Sequence, residues 1–265
     1  MEITFSHINS KDFEDLSFTI PKGEIVGIYG ENGDKLLRLI SLDEETRGII
    51  YFNKIRKLRS NYYLFRKTIT LVEKRFVNLF NIDNIYEYFV SYIRYKKIEV
   101  DDVSQRIKDS LRIVGLKVDI LDRRISTLTF SETKLLQFAL AFLLNPKVIL
   151  LDEPFRGLDM KTVNKLMRII TRLKDKFSKT IVIYSNDPNY LYQYTDYLFV
   201  LYDNKIIAEG SSRDIFFDDK DISLYNIRKP DIVDFIMLVK DKKDVKLPRR
   251  VDVKDLIKDI YWNVK

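Results

Sequence analysis

Polar and apolar residues alternate at the start of the chain, over Glu2–Phe5 and Leu16–Ile20, and each stretch predicts a strand with one buried face. Ile25-Val26-Gly27-Ile28-Tyr29 is apolar throughout, and Pro21-Lys22-Gly23 supplies a turn before it, so all three segments are expected as antiparallel strands. After Tyr29 comes the loop Gly30-Glu31-Asn32-Gly33, with Asp34 expected to N-cap a short helix whose apolar side is Leu36, Leu37, Leu39 and Ile40. Further strands are predicted over 48–53 and 68–72. From about Asp83 to Leu116 apolar residues recur at helical steps (Ile85, Phe89, Ile93; Val103, Ile107, Leu111, Val114), which predicts a helical lobe interrupting the sheet.

Beyond the lobe the periodicity alternates: helix 131–144, strand 148–151, helix 162–173, strand 180–184. That alternation predicts an α/β fold with a mostly parallel, buried sheet under covering helices. Segments 197–201 and 205–209 predict a hairpin around Asp203-Asn204. A charged run follows at 218–221, then amphipathic segments 232–239 and 253–260 separated by Leu247-Pro248. The expected division is a main domain over 1–217, its lobe at about 83–135, and a small C-terminal helical domain over 218–265.

Composition narrows the chemistry more than the fold. The 265 residues are 46% hydrophobic and 32% charged, which argues against disorder and fibrous structure. A net charge of +7 favours an anionic partner without choosing among membrane, nucleotide and nucleic acid. Cysteine is absent, and His7 is the lone histidine, so thiol chemistry and multi-histidine metal sites are excluded. Any catalysis rests on carboxylates, hydroxyls and lysines. The first residues do not read as a signal peptide, and no apolar run reaches eighteen residues, so a cytoplasmic protein is expected.

Val148-Ile149-Leu150-Leu151-Asp152-Glu153-Pro154 carries the strongest chemical signal, a buried strand ending in two acids. In a nucleotide triphosphatase the first acid would hold magnesium and the second would polarise the attacking water. Upstream is Leu143-Leu144-Asn145-Pro146-Lys147; downstream come Phe155-Arg156-Gly157-Leu158-Asp159 and a second apolar strand ending in Ser185-Asn186-Asp187. In order and spacing these motifs resemble the ATP-binding-cassette (ABC) ATPase family over residues 1 to about 217. The resemblance implies the ABC ATPase fold, a P-loop-type sheet core with an antiparallel β subdomain and a helical lobe. It places Asp152 at the magnesium position, Glu153 at the general base, Asp159 in the loop that touches a partner subunit and Asn186 at the switch histidine.

The same comparison exposes departures. A phosphate loop needs glycine, four residues, then Gly-Lys-Ser/Thr. Counted from Gly30, those three places fall on Lys35, Leu36 and Leu37, as if about three residues were deleted. Gly30, Asn32, Gly33 and Lys35 remain as nucleotide-binding candidates, with Lys35 expected as a solvated first-turn residue. The signature stretch reads Leu128-Thr129-Phe130-Ser131-Glu132, with side chains where the family has glycines, and Lys74 falls at the glutamine that links metal and membrane domain.

ABC ATPases work as head-to-tail dimers, so the resemblance implies a heterodimer with an intact ATPase. In it ATP or ADP and Mg2+ sit at the interface, held mainly by the partner, and Glu153 is idle. Own nucleotide binding is expected to be weak or absent, with little or no ATPase activity. The tail from Pro230 and the loop Asn78-Leu79-Phe80 are similar to ATPases of energy-coupling-factor (ECF) transporters, importers of vitamins and metal ions. That likeness implies a transmembrane scaffold, a substrate-binding membrane component and a peripheral place at the cytoplasmic face of the membrane. The alternative is an active ATPase of another ABC transporter, with an unusual phosphate loop in which Lys35 and Asn32 make the contacts. The basic run 54–66 with Tyr62 and Tyr63 is read as a solvated or membrane-facing loop, and no nucleic-acid partner is expected. On the lobe, Tyr86, Tyr88, Phe89, Tyr92 and Tyr95 are expected to pack, or in part to line a groove for a coupling helix.

Overall fold

The computed structural model describes residues 1–218, 222, 224–225 and 227–263, so 219–221 of the charged run lie outside the described residues. Two sheets and their helices arise in this order: β1 (Ile3–Asn9), β2 (Leu16–Ile20), β3 (Ile25–Gly30), α1 (Gly33–Ile40), β4 (Arg47–Phe52), β5 (Ile55–Arg56), α2 (Tyr62–Arg66) and β6 (Ile69–Val72). The lobe helices α3 (Ile85–Tyr95) and α4 (Val103–Val114) follow, then α5 (Phe130–Leu143) and β7 (Val148–Asp152). Next come α6 (Met160–Phe177), β8 (Thr180–Tyr184), α7 (Pro188–Tyr194), β9 (Tyr197–Tyr202), β10 (Lys205–Ser211) and α8 (Ser212–Asp218). Two C-terminal helices, α9 (Asp231–Lys243) and α10 (Val253–Asn263), complete the described chain.

The larger sheet runs β10-β9-β3-β8-β7-β6, with all neighbours parallel except the β9–β10 hairpin; the smaller is antiparallel, β2-β1-β4-β5. Segment 25–29 therefore corrects the expectation of a third antiparallel strand. β2 buries every second residue, as a strand with one covered face does, whereas Ile25–Tyr29 is buried on both faces at the sheet centre. α1 wedges between the two sheets, with Leu36, Leu37, Leu39 and Ile40 fully buried in a core shared with Ile3, Phe5, Phe18 and Val182. The opposite face of the large sheet packs against α5, α6 and the lobe.

Helix starts follow side-chain caps where the sequence offers them. Thr129 and Glu132 form a reciprocal capping box on α5, and Asp159 caps α6 by accepting from the Thr162 N–H at 2.9 Å. Asp34 does not cap α1, against expectation. The helix begins two residues earlier, at Gly33, which sits on the Tyr184 ring, where an added Cβ would lie 2.2 Å from a ring carbon. Asn32 takes the cap position in a left-handed conformation (φ 62°), leaving Asp34 in the first turn.

α9 and α10 lie against α7 and α8 through Val233, Ile236, Leu247 and Leu256. Polar ties fasten them: the hydroxyls of Tyr29 and Tyr192 donate to the Arg228 and Arg250 carbonyls at 2.8 and 3.0 Å. His7, expected at a surface or strand end, is exposed at a bulge within β1 (φ 51°) and hydrogen-bonds Asp15 through Nδ1 at 2.7 Å.

Candidate nucleotide-facing site

Parallel pairing brings the carboxyl ends of β3, β7 and β8 to one edge: Ile28 and Asp152 both stand level with Tyr184. Ligands of open α/β sheets bind at this edge. Here it gathers Gly30, Asp152, Glu153, Ser185 and Asn186, contributed by three separate stretches of chain.

At the β3 end only Glu31 and Asn32 separate strand from helix. Gly30 (φ 107°) turns the chain where a Cβ would meet the Leu201 carbonyl oxygen at 2.1 Å. Asn32 donates through Nδ2 to Asn204 Oδ1 at 2.8 Å. Lys35 lies in the first turn of α1 with its side chain 38% exposed, and its ammonium is 2.8 Å from the carboxylate of Asp12; that bond holds Lys35 above its ordinary pKa. Leu36 and Leu37, at two of the phosphate-loop places counted from Gly30, are wholly buried in the core.

At the β7 end the acids are knitted into the protein. Glu153 is 7% exposed and has a positive φ of 42°. Its Oε1 accepts from the Asn186 N–H at 2.9 Å, its Oε2 from the Ser185 hydroxyl at 3.2 Å, and its own N–H donates to the Tyr184 carbonyl. The exposed Asn186 side chain accepts from the Tyr184 hydroxyl at 3.2 Å. Burial pushes Asp152 above the ordinary carboxylate range, as does the nearby Glu73 charge, while a hydrogen bond from the Lys74 backbone pulls it down. Asp152 Oδ1 is buried with no hydrogen-bond partner. Close by, α5 presents Lys134, 2% exposed, whose ammonium donates to the carbonyls of Glu73 (3.1 Å) and Lys74 (3.0 Å). Burial lowers Lys134 to about 8, and Asp152, Glu153 and Glu73 act against that shift. The Lys74 carbonyl thus joins the segment after β6 to α5 through Lys134.

Apart from these, Thr129, Phe130, Ser131 and Glu132 open α5, and Asp159 opens α6. Glu132 is held by the capping box and by Arg123 at 2.7 Å, and Asp159 by Thr162. Phe130 is 56% exposed and packs beside Gly157, where an added Cβ would stand 3.2 Å from its ring.

A family model for the ABC transporter matches residues 13–156, just over half of the chain. The chain belongs to the ABC transporter family. A Clostridium perfringens protein named as an ABC transporter ATP-binding protein is 28% identical over 250 residues, 91% of this chain; the chain spans 44% of that relative's length. The energy-coupling factor transporter ATP-binding protein EcfA3 of Clostridium perfringens is 25% identical, with 86% of this chain and 81% of that one covered. Its counterpart EcfA from Methanocaldococcus jannaschii is 27% identical, covering 87% and 84%. The fold matches cbiO1 from Clostridium perfringens, part of the ABC transporter complex cbiONQ, with TM-score 0.71 at 22% identity over 89% of this chain and 98% of that one. It also matches a dimeric ATP-binding cassette bound to ADP and Pi, with TM-score 0.68 at 20% identity over 80% and 99%.

Within an ABC cassette the magnesium ion needs near-octahedral oxygen ligation, from carboxylate, hydroxyl and phosphate. The residues at this edge do not fit that set. The places that would offer a hydroxyl are buried leucines, and the Lys134 ammonium occupies the carbonyls of Glu73 and Lys74, on the segment following the strand paired with β7. Motif reading finds Asp152, Glu153 and Asn186 but misses Lys134, Asp12 and Ser185. For Lys134 a signal was available: it is a lone cation in a helix, Phe130–Leu143, that is otherwise apolar nearly all round.

Proposed function

We propose that this chain is the non-hydrolysing ATP-binding-cassette subunit of an ECF-type importer, paired with an intact ATPase at the cytoplasmic face of the membrane. One observation carries the reading: two residues link β3 to α1, and a phosphate-wrapping loop requires several more. Without backbone N–H groups arrayed around the phosphates, own ATP and Mg2+ affinity falls, and Lys35, engaged by Asp12, does not replace them. Relatives named as energy-coupling factor transporter ATP-binding proteins support the ECF assignment. In the dimer this chain offers Thr129, Phe130 and Asp159 across the interface, while Glu153 stays hydrogen-bonded within its own subunit.

The membrane scaffold would dock at the groove between lobe and sheet, about 570 Å³, bordered by Arg66, Phe76, Leu79, Tyr92, Tyr95 and Lys96. Of the lobe aromatics, Phe89 and Tyr88 are buried in packing, while Tyr95 is exposed. No helix of the described residues is long and apolar enough to cross a membrane, so such a scaffold would be a separate chain or segment.

The test is titration of the purified chain with a fluorescent ATP analogue and magnesium, followed by a turnover assay. No saturation in the micromolar range and no turnover are expected. Micromolar binding that disappears in Lys35→Ala would instead establish the alternative, an active ATPase with an unusual loop. Affinity purification from the native host should bring down an intact ATPase and a membrane scaffold; recovery of neither would sink the transporter reading.

A further inference from the structure

We propose that Lys134 is a built-in counter-cation, its buried ammonium neutralising the Asp152–Glu153 acidic pair from within the chain and making a divalent metal ion unnecessary there. The geometry is specific. Lys134 lies one turn into α5, and its Nζ bridges two consecutive carbonyls, those of Glu73 and Lys74, on the segment that follows β6. Both carbonyls are neutral acceptors, so they fix the ammonium in place without cancelling its charge. Val72 pairs with Leu151, which sets these carbonyls beside the end of β7; the charges acting on Lys134 are the carboxylates of Asp152, Glu153 and Glu73 and, in opposition, the Lys74 ammonium. Asp152 has a buried oxygen with no hydrogen-bond partner, and Glu153 is nearly inaccessible. A buried carboxylate without compensation is costly, and an uncompensated buried ammonium equally so. Each therefore depends on the other although neither carboxylate forms a direct ion pair with Lys134. Glu153 is buried and Asp152 half-buried, so the ammonium offsets part of the cost of desolvating them.

The inference deepens the non-hydrolysing reading and rests on it only for the assignment of Asp152 to the metal position. Its test uses the full chain without nucleotide: thermal unfolding of wild type, Lys134→Met, Asp152→Asn and the double variant, each with and without millimolar Mn2+. Lys134→Met should lower Tm by roughly 5–15 °C. Mn2+ should recover part of that loss in Lys134→Met and leave wild type unmoved. Adding Asp152→Asn to Lys134→Met should recover at least half of it, because the charge that needed compensation is gone. If Lys134→Met fails to fold, a folded double variant supports the proposal and an unfolded one overturns it. A Lys134→Met protein as stable as wild type, a loss that neither Mn2+ nor Asp152→Asn relieves, or an equal Mn2+ response in wild type would also overturn it. A negative result here leaves the non-hydrolysing reading to the ATP titration, and measured turnover would reject that reading whatever the unfolding data show.

Discussion

Two strand ends at the same edge of the sheet differ in how much the surrounding protein depends on them. The β3 end has a short link, an exposed Glu31 and a partly exposed lysine paired with Asp12. The β7 end has a buried Glu153 held by Ser185 and Asn186, and a half-buried Asp152 beside the segment that Lys134 ties to α5. A phosphate-wrapping loop is solvated backbone with no share in the core, and loops change length at little thermodynamic cost. The acids at the end of β7 are part of the interior, so removing their ligand without supplying a substitute would destabilise the fold. On the proposed non-hydrolysing reading, the difference means that a binding site is altered at its solvent side while its buried side is retained.

The largest expected effect follows from rebuilding the solvent side. Replacing Asp34-Lys35 with Ser-Gly-Lys-Ser-Thr should raise affinity for the fluorescent ATP analogue at least about tenfold. Turnover should still be absent because Lys134 remains beside the acids. Unchanged affinity would show that the β3 end is not what limits binding. Next in size is Glu153→Gln. The Asn186 N–H and Ser185 hydroxyl both donate to the carboxylate; the new amide keeps an oxygen for the N–H but requires the hydroxyl to turn and accept, and the lost charge-assisted bonds cost about 0.5–1.5 kcal/mol in chemical denaturation. Transport by the folded complex should be nearly unchanged, and its abolition would place chemistry on this subunit. Smallest is Lys35→Ala, which breaks one partly exposed ion pair and should leave Tm within error of wild type. A large fall in Tm would erase the contrast between the two ends.

The elements that could be read from the sequence are those whose signal is local. The runs at 148–151 and 180–184 are legible as buried strands because all their residues but Thr180 are apolar, and the capping residues Thr129 and Asp159 announce α5 and α6. The partners of β3 were not legible, because they lie at 180–184 and 197–202 and pairing is a property of the sheet. At the site, the acids could be found from a strand ending in Asp-Glu. The Lys134 bond could not, since its acceptors are backbone carbonyls sixty residues away in sequence, and every residue type has a carbonyl. The partner of Lys35 is hidden for a related reason: Asp12 reaches it from the β1–β2 connection, which nothing in the helix pattern reveals.

The central position of β3 also sets a schedule for synthesis. This strand leaves the ribosome well before its neighbours β8 and β9, which begin only at Thr180 and Tyr197. At ordinary elongation rates the gap is on the order of 10–30 s. For that interval β3 has neither edge paired; the antiparallel sheet and α1 are available to cover Val26 and Ile28, while Ile25 and Tyr29 face the side that later helices fill. The early sheet would then act during translation as a temporary cover for the strand on which the late one is assembled.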